Sequence, residues 1–461
     1  MTQLPNKSIR REVDRICCAD CEKLLPTLPA ESIDVIVTDP PYGWSFMGKD
    51  WDKALVPKKV WAECLRVLKP GAFALVMSGA RLDCLSQMAV RISDAGFNIN
   101  FTPIFWVYAT GYPKAYNVAN GIEGKLTLGT ADWSEWKRLE GEKRVNDFGF
   151  TKRQFEHGYR KSNYQGRERT VNIHYKTPEA RAFLGAYGGF SPKPAVEVVL
   201  VAMKPMSERT YVDQALNNGK GITWLGEARI PPASPQDARL TEQKNRHADF
   251  GSGARENRVY GADLKPRSEQ GNYDAARGRF PANLLASDSV LDGENTAFSR
   301  FFDLDAWWDK KLRELPDSVQ RTFPFLIVPK ASRTEKNKGL ESCETRLMAR
   351  SGGAQQALKA GSSEYLQNHI GFNRISEVKN PHPTIKSIRL MSYLITLGSR
   401  PGDIVCDPFV GSGSTCIAAA LLKRHYIGIE INPEYCSIAE KRVKWWEKTR
   451  SSCGSGTRTP P

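Results

Sequence analysis

No run of apolar residues in this chain approaches the ~18 needed to cross a bilayer. The N-terminal MTQLPNKSIRREVDR has no apolar stretch after its charges, so no secretory signal is expected. Membrane and secreted classes are therefore excluded, and a cytoplasmic location is expected. A disulfide scaffold is missing as well, since ten cysteines are spread over 461 residues. Cys17, Cys18 and Cys21 form the tight cluster, and no second Cys-x-x-Cys pair completes a zinc tetrad. No metal is inferred. Internal repeats are absent too, which excludes solenoids and propellers.

What is present is a core and a charge. At about 150 residues per domain the length suggests two to four structural units. Hydrophobic residues make up 40% and charged residues 25%, enough apolar surface to exclude a wholly disordered chain. The formal net charge of +15 favours a polyanionic partner, because each Lys or Arg that meets a phosphate releases condensed counterions.

Alternation of strand and helix patterns organises both ends of the chain. Ile33–Val37 reads as a buried parallel strand ending in Asp39-Pro40-Pro41-Tyr42. A helix follows over 57–68, closed by Pro70-Gly71, then a strand over 72–77, a helix over 81–95 and a strand over 98–108. Residues 195–203 (AVEVVLVAM) form another strand. From 385 the pattern returns as helix 385–397, strand 403–406, helix 415–422 and strand 426–431. The expected fold class is an open α/β sheet. Between these parts, residues 152–181 carry eight Lys/Arg interleaved with Phe155, Tyr159, Tyr164 and Tyr175, a mixture suited to gripping phosphates and stacking on bases. Residues 231–280 are rich in Pro, Gly, Arg and Asn and read as long loops.

Two constellations stand at strand ends, where open α/β sheets place ligands. In Asp407-Pro408-Phe409-Val410-Gly411-Ser412-Gly413-Ser414-Thr415 a strand ends in an acid and a Gly-rich turn opens a helix. The following strand ends in Glu430, placed to accept both hydroxyls of a ribose. The third glycine of a dinucleotide fingerprint is missing, which favours a nucleoside over a dinucleotide. In Asp39-Pro40-Pro41-Tyr42, two prolines rigidify the turn and hold the Asp39 carboxylate and the Pro40 carbonyl in fixed directions. These two acceptors suit the hydrogens of an exocyclic amine, and Tyr42 offers a flat stacking face.

These motifs, in this order, resemble the β group of amino-methylating DNA methyltransferases, in which the catalytic motif precedes the cofactor motif. Asp39, Pro40, Pro41 and Tyr42 match the catalytic motif of that family, and Asp407, Phe409, Gly411, Gly413, Ser414 and Thr415 fall in its principal cofactor motif and the helix start after it. His382-Pro383-Thr384-Ile385-Lys386 matches the stretch that walls the methionine end of the cofactor, with Ser387 standing where many relatives carry proline. Glu430 matches the ribose-binding acid, and Asp20 the acid directed at the cofactor's adenine.

The resemblance implies a Rossmann-like, S-adenosylmethionine-dependent fold with permuted motif order. It implies residues 1–115 as the catalytic half, 116–190 as a basic and aromatic insertion, and 191–205 as a returning strand. Residues 206–380 would be the target-recognition region, 381–450 the cofactor half, and 451–461 a disordered tail. S-adenosyl-L-methionine is the expected cofactor and double-stranded DNA the expected partner, with a cognate restriction endonuclease as a further one, in a bacterial, archaeal or phage-encoded setting. The expected reaction is methylation of adenine N6 on a flipped-out base, because an Asp at the first motif position is commoner for adenine in the resembling enzymes. Cytosine N4 is the alternative, and a non-catalytic DNA-binding protein on the same fold the more remote one. No Pro-Cys dipeptide occurs, which argues against C5 methylation.

Overall fold

The computed structural model describes residues 11–44, 52–108, 116–129, 175–190, 195–239, 277–287, 291–292, 298–315, 319–320, 333–349, 375–382 and 384–451. Most of the basic-aromatic stretch (152–174), much of the Pro- and Gly-rich stretch (240–276) and residues 452–461 lie outside them. The chain divides into two compact units, Met1–Thr110 with Ala195–Pro461, and Gly111–Pro194.

The described strands, in chain order, are β1 Arg15–Cys18, β2 Ile33–Thr38, β3 Leu68–Gly79, β4 Ile104–Val107, β5 Tyr116–Asn117 and β6 Tyr187–Gly188. They continue with β7 Val196–Met203, β8 Leu284–Ala286, β9 Arg346–Ala349, β10 Ile375–Val378, β11 Ile404–Asp407 and β12 His425–Glu430. In the first unit, eight of them form one sheet in the order β1-β12-β11-β2-β3-β7-β4-β8. The pairs from β1 to β3 are parallel, β7 runs antiparallel to both β3 and β4, and β4 and β8 are again parallel. From β11 the chain winds outward to β12, whereas β2 and β3 wind to the other side. The β11–β2 boundary is thus the switch point of a Rossmann-like sheet, where ligand crevices form beyond the strand ends.

Alternation along the strands fills two cores. Val35, Val37, Leu75, Met77 and Val405 pack with the helices Ile388–Gly398 and Ser414–Leu421. Their neighbours Ile36, Ala74, Val76, Ile404, Cys406 and Ile427 pack with the helices Lys58–Val67 and Leu82–Asp94. Helices on both faces explain why these strands read as continuous apolar runs. Helix Ile388–Gly398 is buried on every side, and its one cation, Arg389, is paired with Asp305.

Two expectations need adjustment. Strand β3 begins at Leu68, and Gly71 at φ +77° lies in the irregular stretch between Leu68 and Phe73 where the register with β2 shifts. The strand expected over 98–108 narrows to Ile104–Val107. Asn98 exchanges both backbone bonds with Met203, but Pro103 has no N–H to continue a ladder. Ser387 gives its helix no side-chain cap, and the Glu335 carboxylate accepts the Ile388 N–H at 2.7 Å instead.

The second unit is described by two helices, Val118–Leu128 and Pro178–Ala182, and the β5–β6 pair. Glu123 staples it, accepting the backbone N–H of Lys176 and Thr177 and the Thr177 hydroxyl. Burial opposes the Glu123 charge, yet these donors hold its carboxyl below the usual range.

Candidate active site

The two central strands deliver their terminal acids side by side. Thr38, the last residue of β2, donates its hydroxyl to Oδ1 of Asp407 at 2.6 Å. Asp407 also accepts the Phe409 N–H at 3.0 Å and is hydrogen-bonded by Thr415. Burial nevertheless pushes its carboxyl up to about 6. Asp407, Ser414 and Thr415 are all buried, so their polar groups brace the turn from within. The Ser414 hydroxyl donates to the Lys386 carbonyl at 2.9 Å, fastening the His382–Lys386 stretch to the Gly-rich turn.

Asp39 follows directly on β2. Its Oδ1 accepts the Tyr42 hydroxyl at 2.5 Å and its Oδ2 the Lys386 ammonium at 2.6 Å. Burial raises the Asp39 carboxyl, with Lys386 opposing and Glu197 adding to the rise. Burial likewise works against the Lys386 charge, but the carboxylates of Asp39 and Glu197 outweigh it and hold the ammonium above the usual lysine range. Glu197 Oε2 lies 3.4 Å from Lys386 Nζ. Lys386, expected at the cofactor's methionine end, thus makes its ion pair with Asp39.

The turn after Asp39 is held by a residue that sequence reasoning missed. Asp52, almost wholly buried, accepts the backbone N–H groups of Tyr42, Gly43 and Trp44 at 2.7, 3.0 and 3.2 Å. Rings and cations then alternate outward. Lys386 Nζ lies 5.5 Å from the Tyr42 ring centre, Tyr42 meets Trp44 edge-on at 5.4 Å, and Arg81 lies 5.3 Å from the Trp44 ring. Trp44 lies so close to Gly79, at the end of β3, that a Cβ there would come within 2.1 Å of its ring.

The second cluster lies at the ends of β11, β12 and β1. Glu430 accepts the Gly411 N–H on Oε2 at 2.9 Å and the Asn432 N–H on Oε1 at 2.8 Å. Burial pushes its carboxyl up to about 6. Cys18 pairs with Glu430 in register, which brings Asp20 to the neighbouring strand end, where it caps the helix Cys21–Leu24 through the Glu22 N–H at 2.9 Å. Gly411 has φ +54°, and a Cβ there would fall 2.7 Å from Nε2 of His382, whose ring packs edge-on against Tyr435. The backbone N–H of Thr384 points at Nδ1 of the same ring at 3.4 Å. Phe409 stays half-buried beside Trp61. Arg442, fully buried, donates to the carbonyl and hydroxyl of Ser412 and anchors the turn to the last helix.

The arrangement therefore joins a carboxylate-ammonium-aromatic cluster at β2 to an acid-lined glycine turn at β11 and β12. Comparison with known proteins covers the second of these. Residues 295–441 match the family model for N6/N4 methyltransferases, described as DNA methylase. This segment is similar to the DNA methylase family. Among curated relatives, the chain is 47% identical over 70 residues to the orphan methyltransferase M.BamHII of Bacillus amyloliquefaciens, covering 15% of this chain and 26% of the relative. It is 44% identical over 68 residues to the type II methyltransferase M.HinfI of Haemophilus influenzae, covering 15% and 19%. Each match thus spans about a quarter or less of the relative's length. Among solved structures, the PvuII DNA methyltransferase (cytosine-N4-specific) aligns over 95% of this chain and 91% of its own at 13% identity, with a TM-score of 0.36.

The signals for the missed residues were modest. Glu197 is a lone acid in the apolar run AVEVVLVAM, and a charge inside a buried strand is unusual unless paired. Asp52 and Trp44 follow the Asp39-Pro40-Pro41-Tyr42 turn closely in sequence, but no spacing rule marks them.

Proposed function

We propose that this protein is a DNA methyltransferase that moves a methyl group from S-adenosyl-L-methionine to the exocyclic N6 amine of adenine in double-stranded DNA. The observation that carries this reading is the adjacency of Asp39 and Asp407 across the switch point, a target-amine acceptor beside a cofactor turn. The donor set fits the cofactor: Glu430 offers a carboxylate to a vicinal diol, Asp20 an acceptor at the neighbouring strand end, and Phe409 an apolar face. S-adenosyl-L-methionine supplies an electrophilic methyl on a sulfonium. Asp39 and the Pro40 carbonyl accept the two amine hydrogens, which draws the nitrogen lone pair out of conjugation and aims it for direct attack. Tyr42 gives the base a stacking face, which requires the base to leave the duplex. The transfer then depends mainly on orientation and exclusion of water.

The net positive charge supports a polyanionic partner, and the basic residues within 152–181 and 244–279 are the ones we assign to the duplex. Much of both stretches lies outside the described residues. A restriction endonuclease of the same specificity is the further partner this reading allows. Among the described residues no helix is long and apolar enough to cross a membrane.

Incubation with methyl-labelled cofactor and unmethylated duplex DNA, followed by nucleoside chromatography, tests the reading. Label in N6-methyladenine is expected. Label in N4-methylcytosine would keep the mechanism and replace the base, and unlabelled DNA would overturn the function.

A further inference from the structure

Because β7 runs against its neighbours, its first residues lie beside the last residues of β3. Glu197 pairs with Gly79 in register and so reaches the edge of the sheet where Asp39 stands. Its Oε1 accepts the Tyr108 hydroxyl at 3.3 Å, while Oε2 faces Lys386 at 3.4 Å. The side chains of Asp39, Glu197 and Lys386 are only 16%, 14% and 10% exposed. Two carboxylates thus share one ammonium in a poorly solvated place. A single ion pair would satisfy either carboxylate alone, and a third buried charge is unfavourable unless the arrangement uses it.

The crowding at Asp39 supplies the use. Tyr42 bonds one of its oxygens and Lys386 the other, so an arriving amine must compete with an ammonium for the acceptor it needs. We propose that Glu197 is a positioning residue that acts through Lys386, drawing the ammonium off Asp39 as the target amine arrives and leaving Asp39 charged and open to accept. The inference rests on the methyltransferase reading above. From 3.4 Å, Lys386 needs to move well under 1 Å to reach a charge-assisted hydrogen-bond distance of about 2.8 Å to Glu197. Among the described residues, the charged and titratable groups facing Asp39 are Tyr42 on its own turn, Lys386 on the stretch before helix Ile388–Gly398, Glu197 on β7 and Asp407 at the end of β11. Tyr108, next to β4, faces Glu197.

Single-turnover methylation by Glu197→Gln, Glu197→Asp and Lys386→Met, measured between about pH 5 and 9 beside wild type, tests this. Cofactor binding serves as the check that each variant is folded. In Glu197→Gln, Lys386 keeps Asp39 and loses the Glu197 carboxylate. The rate constant is expected to fall about tenfold or more with DNA affinity little changed, and the acid limb of the profile to move to lower pH. In Lys386→Met, Asp39 loses its counter-ion, so the acid limb moves to higher pH. Glu197→Asp restores part of the rate.

An unchanged rate and limb in Glu197→Gln, or limbs moving the same way in the Gln and Met variants, would overturn the proposal. If Glu197→Gln fails to bind cofactor, Glu197→Asp against Lys386→Met carries the same comparison, since a retained carboxylate leaves the limb in place and a lost ammonium raises it. Wild-type protein that transfers no methyl to DNA removes the methyltransferase reading itself, an outcome distinct from any difference among the variants.

Discussion

Thr38 donates its hydroxyl to Asp407 at 2.6 Å, joining two strand ends that lie 369 residues apart in the chain. The contact ties the Asp39 turn to the glycine turn. Asp407 is buried and its carboxyl is pushed up to about 6, so each donor it keeps matters to its ionised form. Thr38→Val removes the donor at nearly constant volume and is expected to destabilise the fold by about 2 kcal/mol where Asp407 is charged. The sign follows from which form loses the bond. The loss should be full well above pH 6 and shrink as pH falls through that value. Urea unfolding of both proteins at pH 8 and pH 5 measures it, and an equal loss at the two pH values would contradict the assignment.

Asp52 orders the turn after Asp39 by collecting three successive backbone N–H groups. Asp52→Ala leaves those donors without their acceptor and frees the Tyr42 ring to wander. Methyl transfer is expected to slow by about ten- to a hundredfold, while cofactor affinity changes little, because misplacement of the amine site alone is enough to slow the step. Asp52→Asn keeps one oxygen and should fall between. Rates near wild type in the Ala variant would show that the turn holds itself.

Glu430 makes a pH prediction. To accept ribose hydroxyls, as proposed, it must be ionised, and burial pushes its carboxyl up to about 6. Cofactor affinity should be full above that pH and fall as pH drops through it, by up to about tenfold at pH 5. Calorimetric titration of the cofactor at pH 5, 6 and 8 reads this directly. Glu430→Gln should bind more weakly, with the pH slope removed. A wild-type affinity independent of pH would place the ribose elsewhere.

How much of this could be read from the chain differed by residue, for physical reasons. Strands β2, β11 and β12 stand out because helices cover both faces, so apolar residues point to both sides and the runs end at Asp39, Asp407 and Glu430, with Asp34 as a paired charge inside β2. Strand β1 is four residues at the sheet edge, half-exposed, with too little apolar pattern to mark it. The longer extent of β3 hides behind Pro70-Gly71, which reads as a helix stop and is also the entry to the strand.

The motif residues of the site were legible because their chemistry is concentrated in short turns. Glu197 was not, since its place beside Asp39 depends on β7 running antiparallel, a property of the assembled sheet. Lys386 shows the same limit: resemblance points it toward the cofactor, but only the packing reveals its contact with Asp39.

The most direct test of the account is mass spectrometry of nucleosides from the DNA of a methylation-deficient host expressing this chain or its Asp39→Ala variant. The account predicts N6-methyladenine with the intact chain and none with the variant, which lacks the acceptor that holds the amine. Methylated nucleoside at equal levels from both proteins, or from neither, would contradict it.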